Sequence, residues 1–180
     1  FKDASRTLII KESGKMDGQR AVNINPGWFK FRGSAQRLFV CKGLTTIGRG
    51  AFNSFANLTS ITFPEGIMSI GERAFFGCTR LASITFPFSL LEIGPSAFEG
   101  CISLESVTFQ SYLYFMRERA FYDCKKLSSV NFELALLADD SAFLGTSVSV
   151  PMMPFADEEL LVEVGEKYLK GEDLSQDTEK

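Results

Sequence analysis

Hydrophobic and polar positions recur along this chain with a period of 23 residues. The dipeptide Ala-Phe marks the repeat, because its five copies follow one another at spacings of 23, 23, 23 and 22 residues. Five columns of apolar residues share this register, namely Ala51-Phe52, Ala74-Phe75, Ala97-Phe98, Ala120-Phe121 and Ala142-Phe143; Leu58, Leu81, Leu104 and Leu127; Ile61, Ile84, Val107 and Val130; Phe63, Phe86, Phe109 and Phe132; and Ile47, Ile70, Ile93 and Met116. A unit this short cannot bury its apolar face alone, so the pattern predicts a solenoid of stacked coils.

One segment of each repeat has the pattern of a β-strand with a single buried face. Apolar and polar residues alternate along residues 58–64, so Ile61 and Phe63 are expected to point inward and Ser60 and Thr62 outward. Stacking would bring these strands into a parallel ladder with about 4.8 Å between neighbours. The remainder of the repeat is expected to turn at its glycines. Ala-Phe then opens what we predict to be a short helical turn on the opposite side.

The arrangement within one repeat is specific enough to indicate a family. Residues 81–101 read Leu81-x-x-Ile84-x-Phe86-Pro87-x-x-Leu90-x-x-Ile93-Gly94-x-x-Ala97-Phe98-x-Gly100-Cys101. This pattern resembles the repeat of the BspA-like, treponemal-type leucine-rich-repeat family over about residues 44–151. The resemblance implies a repeat solenoid, a right-handed superhelix with a parallel β-ladder on one face and short helical turns on the other.

The segment before the first repeat is predicted to close the open end of the solenoid. Residues 7–28, from a short apolar strand to Trp28, resemble the strand-and-tryptophan cap of that family. Leu38 lies 23 residues before Ile61, which indicates a degenerate coil. We therefore assign residues 1–43 to an N-terminal β cap with a degenerate repeat.

The segment after the repeats differs from them in composition. Asp157 has the character of a helix N-cap, and the apolar residues that follow it fall at helical spacing. We predict a C-terminal capping helix within residues 152–170. Residues 171–180 are rich in acids and poor in apolar side chains, which predicts a disordered acidic tail.

Charge and hydropathy narrow the classes of partner. Residues 157–180 contain nine acids and three bases, and residues 1–156 contain thirteen acids and sixteen bases. An excess of three positive charges over that length is too dilute for a nucleic-acid-binding surface, and no basic cluster is interleaved with aromatic residues. No segment approaches the roughly 20 apolar residues that span a bilayer. We expect neither nucleic-acid binding nor a transmembrane segment.

Candidate catalytic and metal-binding groups are scarce. The chain has no histidine, the commonest general base and neutral metal ligand. Cys78, Cys101 and Cys124 occupy one repeat column, and a spacing of 23 residues matches no zinc-ligand pattern. We interpret them as buried free thiols, and the recurring Ser-x-Thr as the solvated face of the sheet. The sequence therefore predicts no enzyme, no metal and no cofactor.

The repeat departs from the family pattern just after the strand, where the family usually has small or polar residues. Apolar side chains occupy these positions here, and we call them the apolar strip: Met68, Phe88, Leu91, Tyr112, Tyr114, Phe115, Leu134 and Leu137. A contiguous exposed patch of this kind marks a binding site on a soluble protein. Three interpretations stay open: an irregular extra core, a protein interface with a partner or between copies of this chain, and a groove for an apolar ligand such as an acyl chain.

The family resemblance implies the broad function. Members of the family act as adhesins for host extracellular-matrix proteins such as fibronectin, at the bacterial cell surface or in the periplasm. We expect a non-catalytic protein-binding module of this kind, with the apolar strip as its binding surface. Binding of a hydrophobic ligand, or self-assembly, is the alternative. The sequence begins at Phe1 without a signal-peptide pattern, so we expect either a removed leader or an excised fragment.

Overall fold

The computed structural model describes residues 6–11, 14–15, 27–110, 113–131 and 135–148, with the backbone alone for 14–15 and 135–137. This part of the chain consists of short strands joined by turns, with a 3-10 helix at Phe29–Phe31. The strands are β1 (Thr7–Ile10), β2 (Gly14–Lys15), β3 (Arg37–Val40), β4 (Leu44–Ile47), β5 (Ser60–Thr62), β6 (Ser69–Ile70), β7 (Ser83–Thr85), β8 (Glu92–Ile93), β9 (Ser106–Thr108), β10 (Leu113–Met116), β11 (Ser129–Asn131) and β12 (Ala135–Ala138).

The odd-numbered strands form the ladder that the alternating segments predicted, and we call it the first ladder. Strands β1, β3 and β5 pair in parallel, and so do β7, β9 and β11. Leu38 pairs with Ile61, as their spacing of 23 residues requires. Between β5 and β7 the Ala82 N–H donates to the Thr59 carbonyl oxygen at 3.4 Å. This bond links the two three-stranded parts of the first ladder. The predicted parallel ladder is confirmed.

The even-numbered strands form a second ladder, where the sequence analysis predicted only a turn. Its order is β12-β10-β8-β6-β4-β2, with every pair parallel. The Met68 N–H donates to the Thr45 carbonyl oxygen at 2.8 Å, and the Leu91 N–H donates to that of Met68 at 2.8 Å. The predicted turn is wrong here because the buried residues, Ile67 and Ile70, are three apart and do not show the alternation expected of a strand.

The Ala-Phe segments form the third side of each coil, and they are turns rather than the predicted helical segments. The Phe75 N–H donates to the Ala97 carbonyl oxygen, and the Phe98 N–H to that of Ala120, both at 2.8 Å. These backbone groups bond the next coil, so they cannot form the intra-segment bonds of an α-helix. Within the described ranges, Phe29–Phe31 is the one helical element. Each coil is therefore bonded to its neighbours on three sides.

Aromatic rings stack through the core in two rows. The first row joins Trp28, Phe52, Phe75, Phe98, Phe121 and Phe143, with successive ring centroids 6.0, 5.3, 5.1, 5.2 and 5.4 Å apart. The second row joins Phe63, Phe86 and Phe109 at 5.8 and 5.1 Å. The Trp28 indole N–H also donates to the Ala51 carbonyl oxygen at 2.8 Å, which fixes the first ring of the row.

The cysteine column is buried beside these rings. Cys78, Cys101 and Cys124 are fully buried free thiols, which confirms the prediction. The Cys101 thiol donates to the Phe75 carbonyl oxygen at 3.4 Å, and the other two make the equivalent bond. Burial, reinforced by the neighbouring thiols, raises the pKa of Cys101 well above its usual value. Cys101 is therefore held in the neutral, unreactive thiol form.

The ends of the chain are only partly described. Strands β1 and β3 extend the first ladder toward the N-terminus, in the segment predicted to be a cap. The predicted capping helix, within residues 152–170, and the predicted tail, residues 171–180, lie outside the described residues. The predicted domain boundaries stay predictions. No helix in the part of the chain that the structure describes is long and apolar enough to cross a membrane.

Candidate functional site

The apolar strip follows the outer side of the second ladder. In β6 and the residue before it, Met68 and Ser69 lie on this outer side, between the inward-pointing Ile67 and Ile70. Met68 is 44% exposed. The polar Ser69 donates a hydroxyl hydrogen bond to Thr46 Oγ1 of the preceding coil at 3.1 Å. One outward position of this coil is therefore polar, and the other presents a large apolar side chain.

Phe88 lies at the corner between the two ladders and is 63% exposed, the highest value among the large apolar residues described. The neighbouring Ser89 accepts a hydrogen bond from the Gly66 N–H at 2.8 Å and donates one to the Ile67 carbonyl oxygen at 2.9 Å. These bonds hold the corner segments of two consecutive coils side by side. Phe88 and Met68 therefore lie in two consecutive coils, and both side chains are exposed.

Tyr114 is not exposed, which corrects the prediction for the middle of the strip. It is 6% exposed but does not belong to the cluster that forms the hydrophobic core. Its N–H and that of Phe115 both donate to the Leu91 carbonyl oxygen, at 3.0 and 3.1 Å. Leu91 and Phe115 are half-buried. Among the described residues of the strip, Leu91, Tyr114 and Phe115 are therefore less exposed than Met68 and Phe88.

At a spacing of 23 residues the sequence predicts Leu137 in one column with Met68, Leu91 and Tyr114, but the ladder places it in another column. The ladder pairs it with Phe115, 22 residues earlier, and not with Tyr114. Asn131 pairs with Thr108 at a spacing of 23, so the one-residue deletion falls between Asn131 and β12. The sequence placed Leu137 beside Tyr114 because the shorter spacing was visible only at the later Ala-Phe dipeptide. Tyr112 and Leu134 lie outside the described residues, and the Leu137 side chain is not described.

Charged groups border the C-terminal end of the strip. The Arg117 guanidinium lies over the Phe115 ring, 4.6 Å from its centroid, and pairs with Glu92 at 2.7 Å. An open depression of about 490 Å³ lies beside it, lined by Pro95, Phe115, Met116, Arg117, Glu118, Ala138 and Asp139. Hydrogen bonds from the Ser141 hydroxyl and backbone N–H lower the pKa of Asp139, so this carboxylate is ionised at neutral pH. The depression therefore has a charged border.

The described residues contain no group of three or more histidine, cysteine or acidic side chains placed to hold a metal ion. They also contain no buried side-chain nitrogen or oxygen without a hydrogen-bond partner. The sequence analysis missed one exposed aromatic residue, Phe39 on β3, which is 45% exposed. The available signal was the sequence Arg37-x-Phe39, which interrupts the Ser-x-Thr pattern of the later strands.

Solved structures of other proteins share this architecture. The leucine-rich repeat protein of T. pallidum is 28% identical, over 74% of this chain and 70% of that one, with a TM-score of 0.52. Leucine-rich repeat proteins of Bacteroides ovatus and Eubacterium ventriosum are 24% and 22% identical over 76% and 79% of this chain, with TM-scores of 0.54 and 0.53. This chain spans only 38% and 41% of the length of those two proteins, and its similarity to them is one of fold.

Sequence comparison gives the family directly. No curated protein matches the chain. Residues 22–154 match the BspA type leucine rich repeat region, in six copies. The match covers most of the chain and includes the degenerate coil before the first regular repeat. The chain therefore belongs to the family of BspA-type leucine-rich repeat proteins.

Proposed function

We propose that this chain is a non-catalytic protein-binding module, and that Met68 and Phe88 form the centre of its binding surface. The observation that supports this most directly is the exposure of two large apolar side chains in consecutive coils, Met68 on the outer side of the second ladder and Phe88 at the corner between the two ladders. Exposed aromatic and methionine side chains are enriched at protein interfaces. Repeat solenoids present extended surfaces to protein partners, and this fold is typically non-enzymatic.

The described geometry favours a protein partner over an apolar ligand. A small-molecule site is usually a largely enclosed, mostly apolar cavity. The depression beside Phe115 is open, and Arg117 and Asp139 lie on its border. The interpretation as extra core fits Tyr114, which is buried, but does not fit Phe88. The protein-binding surface that we infer is therefore centred on the exposed Met68 and Phe88 and does not include Tyr114.

We further propose that the partner is a host extracellular-matrix protein and that the chain acts at the bacterial cell surface as an attachment factor. Family resemblance supports this, together with the likeness to bacterial leucine-rich repeat proteins. Self-assembly through the apolar strip is the alternative. We expect a right-handed superhelix, because parallel strands of one sheet are almost always connected with that handedness.

The test is solid-phase binding to immobilised fibronectin by the wild-type protein and a Met68→Ser, Phe88→Ser double variant. Loss of two central apolar contacts should weaken binding about tenfold or more. The matched control is Ile102→Ser with Leu144→Ser, which removes two exposed apolar side chains elsewhere on the coils. Circular dichroism and urea unfolding would show that both variants keep the fold.

Equal binding by the two double variants would contradict the role of Met68 and Phe88, and absence of saturable binding by the wild type would contradict the adhesin proposal. Native mass spectrometry addresses the alternative with the same samples. A defined oligomer of the wild type that dissociates in the Met68→Ser, Phe88→Ser variant would show that the strip joins copies of this chain.

A further inference from the structure

The first ladder has a surface of different chemistry at its N-terminal end. From β5 onward the outward side chains of this ladder are serine, threonine or asparagine. Around β1 and β3 several are instead apolar or basic, although Thr7 keeps the polar type. We call four of them the N-terminal patch: Ile9 on β1, Lys11 just after β1, and Arg37 and Phe39 on β3. The patch lies on a different side of the coil from the apolar strip, so it goes beyond the proposed function.

The register of β1 and β3 fixes the layout of the patch. Ile9 pairs directly with Phe39, which places the half-buried aliphatic side chain beside the exposed ring. Arg37 lies two residues before Phe39 on β3, and Lys11 directly follows the end of β1, two residues after Ile9. Both cations are exposed. The apolar pair is therefore flanked by one positive charge at each end, with about 14 Å between the two Cα atoms from strand rise and spacing.

Acidic residues are sparse in the sequence around the patch, although Glu12 directly follows Lys11. Residues 18–64 contain six bases and no acid. Ten bases and three acids precede Glu65, whereas nine bases and nineteen acids occupy residues 65–180. None of the ion pairs found among the described residues includes Lys11 or Arg37. The N-terminal part of the chain therefore carries a net positive charge, which complements an acidic partner.

We propose that the N-terminal patch binds an extended acidic segment of a partner protein with the pattern acid-x-apolar-x-acid. In an extended segment, alternate side chains point to one side and are about 6.6 Å apart. The central apolar side chain would pack on Ile9 and Phe39, while the flanking carboxylates reach Arg37 and Lys11. The two cations lie on either side of an apolar pair, which suits this pattern better than the continuous charge of a polyanion.

The test is a titration of the nitrogen-15-labelled full chain with the peptide Thr-Glu-Thr-Phe-Thr-Glu-Thr. Amide chemical shifts of the labelled chain report the binding. The expected shifts are confined to β1 and β3 and weaken at high salt. Arg37→Glu and Phe39→Ser should each weaken binding about tenfold, since each removes one of the two contact types. Lys125→Glu, an equal charge reversal at an exposed position on a distant coil, should leave binding unchanged.

A shuffled peptide of the same composition, Thr-Glu-Glu-Thr-Phe-Thr-Thr, checks the spacing and should bind more weakly. Equal binding of the two peptides would overturn the proposal. The proposal would also be overturned if heparin displaced the peptide and Phe39→Ser left peptide binding unchanged. That result would show a surface that binds polyanions. Fibronectin binding by Arg37→Glu, measured in parallel, separates this surface from the apolar strip, since the variant should keep that binding.

Discussion

Phe98 shows how a single side chain supports several coils. Its ring stacks between those of Phe75 and Phe121, with centroids 5.1 and 5.2 Å away and ring planes within 6° of parallel. Each such contact adds roughly 0.5–1.5 kcal/mol beyond burial of the ring. Because neighbouring rings lie in successive coils, the loss of one ring weakens two interfaces between coils.

Phe98→Ala should therefore lower the free energy of unfolding by about 3–5 kcal/mol, the usual cost of removing a buried phenylalanine. Phe88→Ala removes the same side chain from an exposed position and should change it by about 0.5 kcal/mol or less. Urea unfolding of both variants gives the comparison. Similar losses for the two would show that Phe88 belongs to the core and would argue against its role in binding.

Glu99 makes stability depend on pH. Partial burial opposes its ionisation, but hydrogen bonds from Arg119, at 2.7 and 3.1 Å, and from Ser96 outweigh it and lower the pKa of Glu99. A carboxyl group with a lowered folded-state pKa stabilises the fold above its usual pKa, near 4.5. That contribution is lost as the pH falls through the lowered value.

Glu99→Gln should accordingly destabilise the protein at pH 7, with a deficit relative to wild type that shrinks as the pH falls below about 4.5. Urea unfolding across this pH range measures the deficit. Glu65→Gln is the control, because Glu65 is exposed and belongs to no ion pair found among the described residues. A pH-independent deficit for Glu99→Gln would contradict the electrostatic account.

At the scale of the elements, the close stacking of the coils depends on glycine just after the second ladder. A Cβ on Gly94 would lie 2.9 Å from the Glu72 nitrogen and 3.0 Å from the Gly71 carbonyl carbon and Ile70 carbonyl oxygen. All three are backbone atoms of the preceding coil, which cannot move without disturbing the ladder. Gly33 has no atom within 4 Å of the equivalent position.

Gly94→Ala should destabilise the protein by about 1–3 kcal/mol, the usual cost of overpacking a tight site. Gly33→Ala, in an open turn, should change stability by about 0.5 kcal/mol or less. Thermal or urea unfolding checks both. Equal effects of the two substitutions would mean that the coils can separate locally at the second ladder, contrary to the contacts at Gly94.

The elements also show what sequence can and cannot predict. Ile61 and its column marked the first ladder, because a strand with one buried face alternates at every residue. The second ladder was missed because its short strands separate Ile67 from Ile70 by two outward residues, so alternation never develops. The Ala-Phe turns were taken for helices because hydrogen bonds between coils leave no trace in the sequence of a single coil.

The candidate site shows the same limit. Met68 and Phe88 were found because apolar side chains at polar positions of a repeat are visible in sequence, and the structure describes both as exposed. The burial of Tyr114 depends on neighbouring side chains. The column of Leu137 depends on the position of a one-residue deletion. Neither follows from the average period. The exposed fraction of each side chain in the strip could be obtained only from the three-dimensional structure.

For the whole molecule, the coils form three hydrogen-bonded sides, and two of them have a distinct surface chemistry. The second ladder presents Met68, with Phe88 at the corner between the two ladders, while the first ladder presents Phe39 near two cations at its N-terminal end. The charge is unevenly distributed along the stack, positive before Glu65 and negative after it. We expect these two surfaces to act independently, because no described residue belongs to both.

Hydrogen–deuterium exchange, compared with and without saturating fibronectin, tests most directly whether binding takes place at the apolar strip. We expect slower exchange at residues 64–68 and 87–91, around Met68 and Phe88, with other coils unchanged. Protection confined to the first ladder or to the Ala-Phe turns, with these residues unaffected, would contradict this expectation.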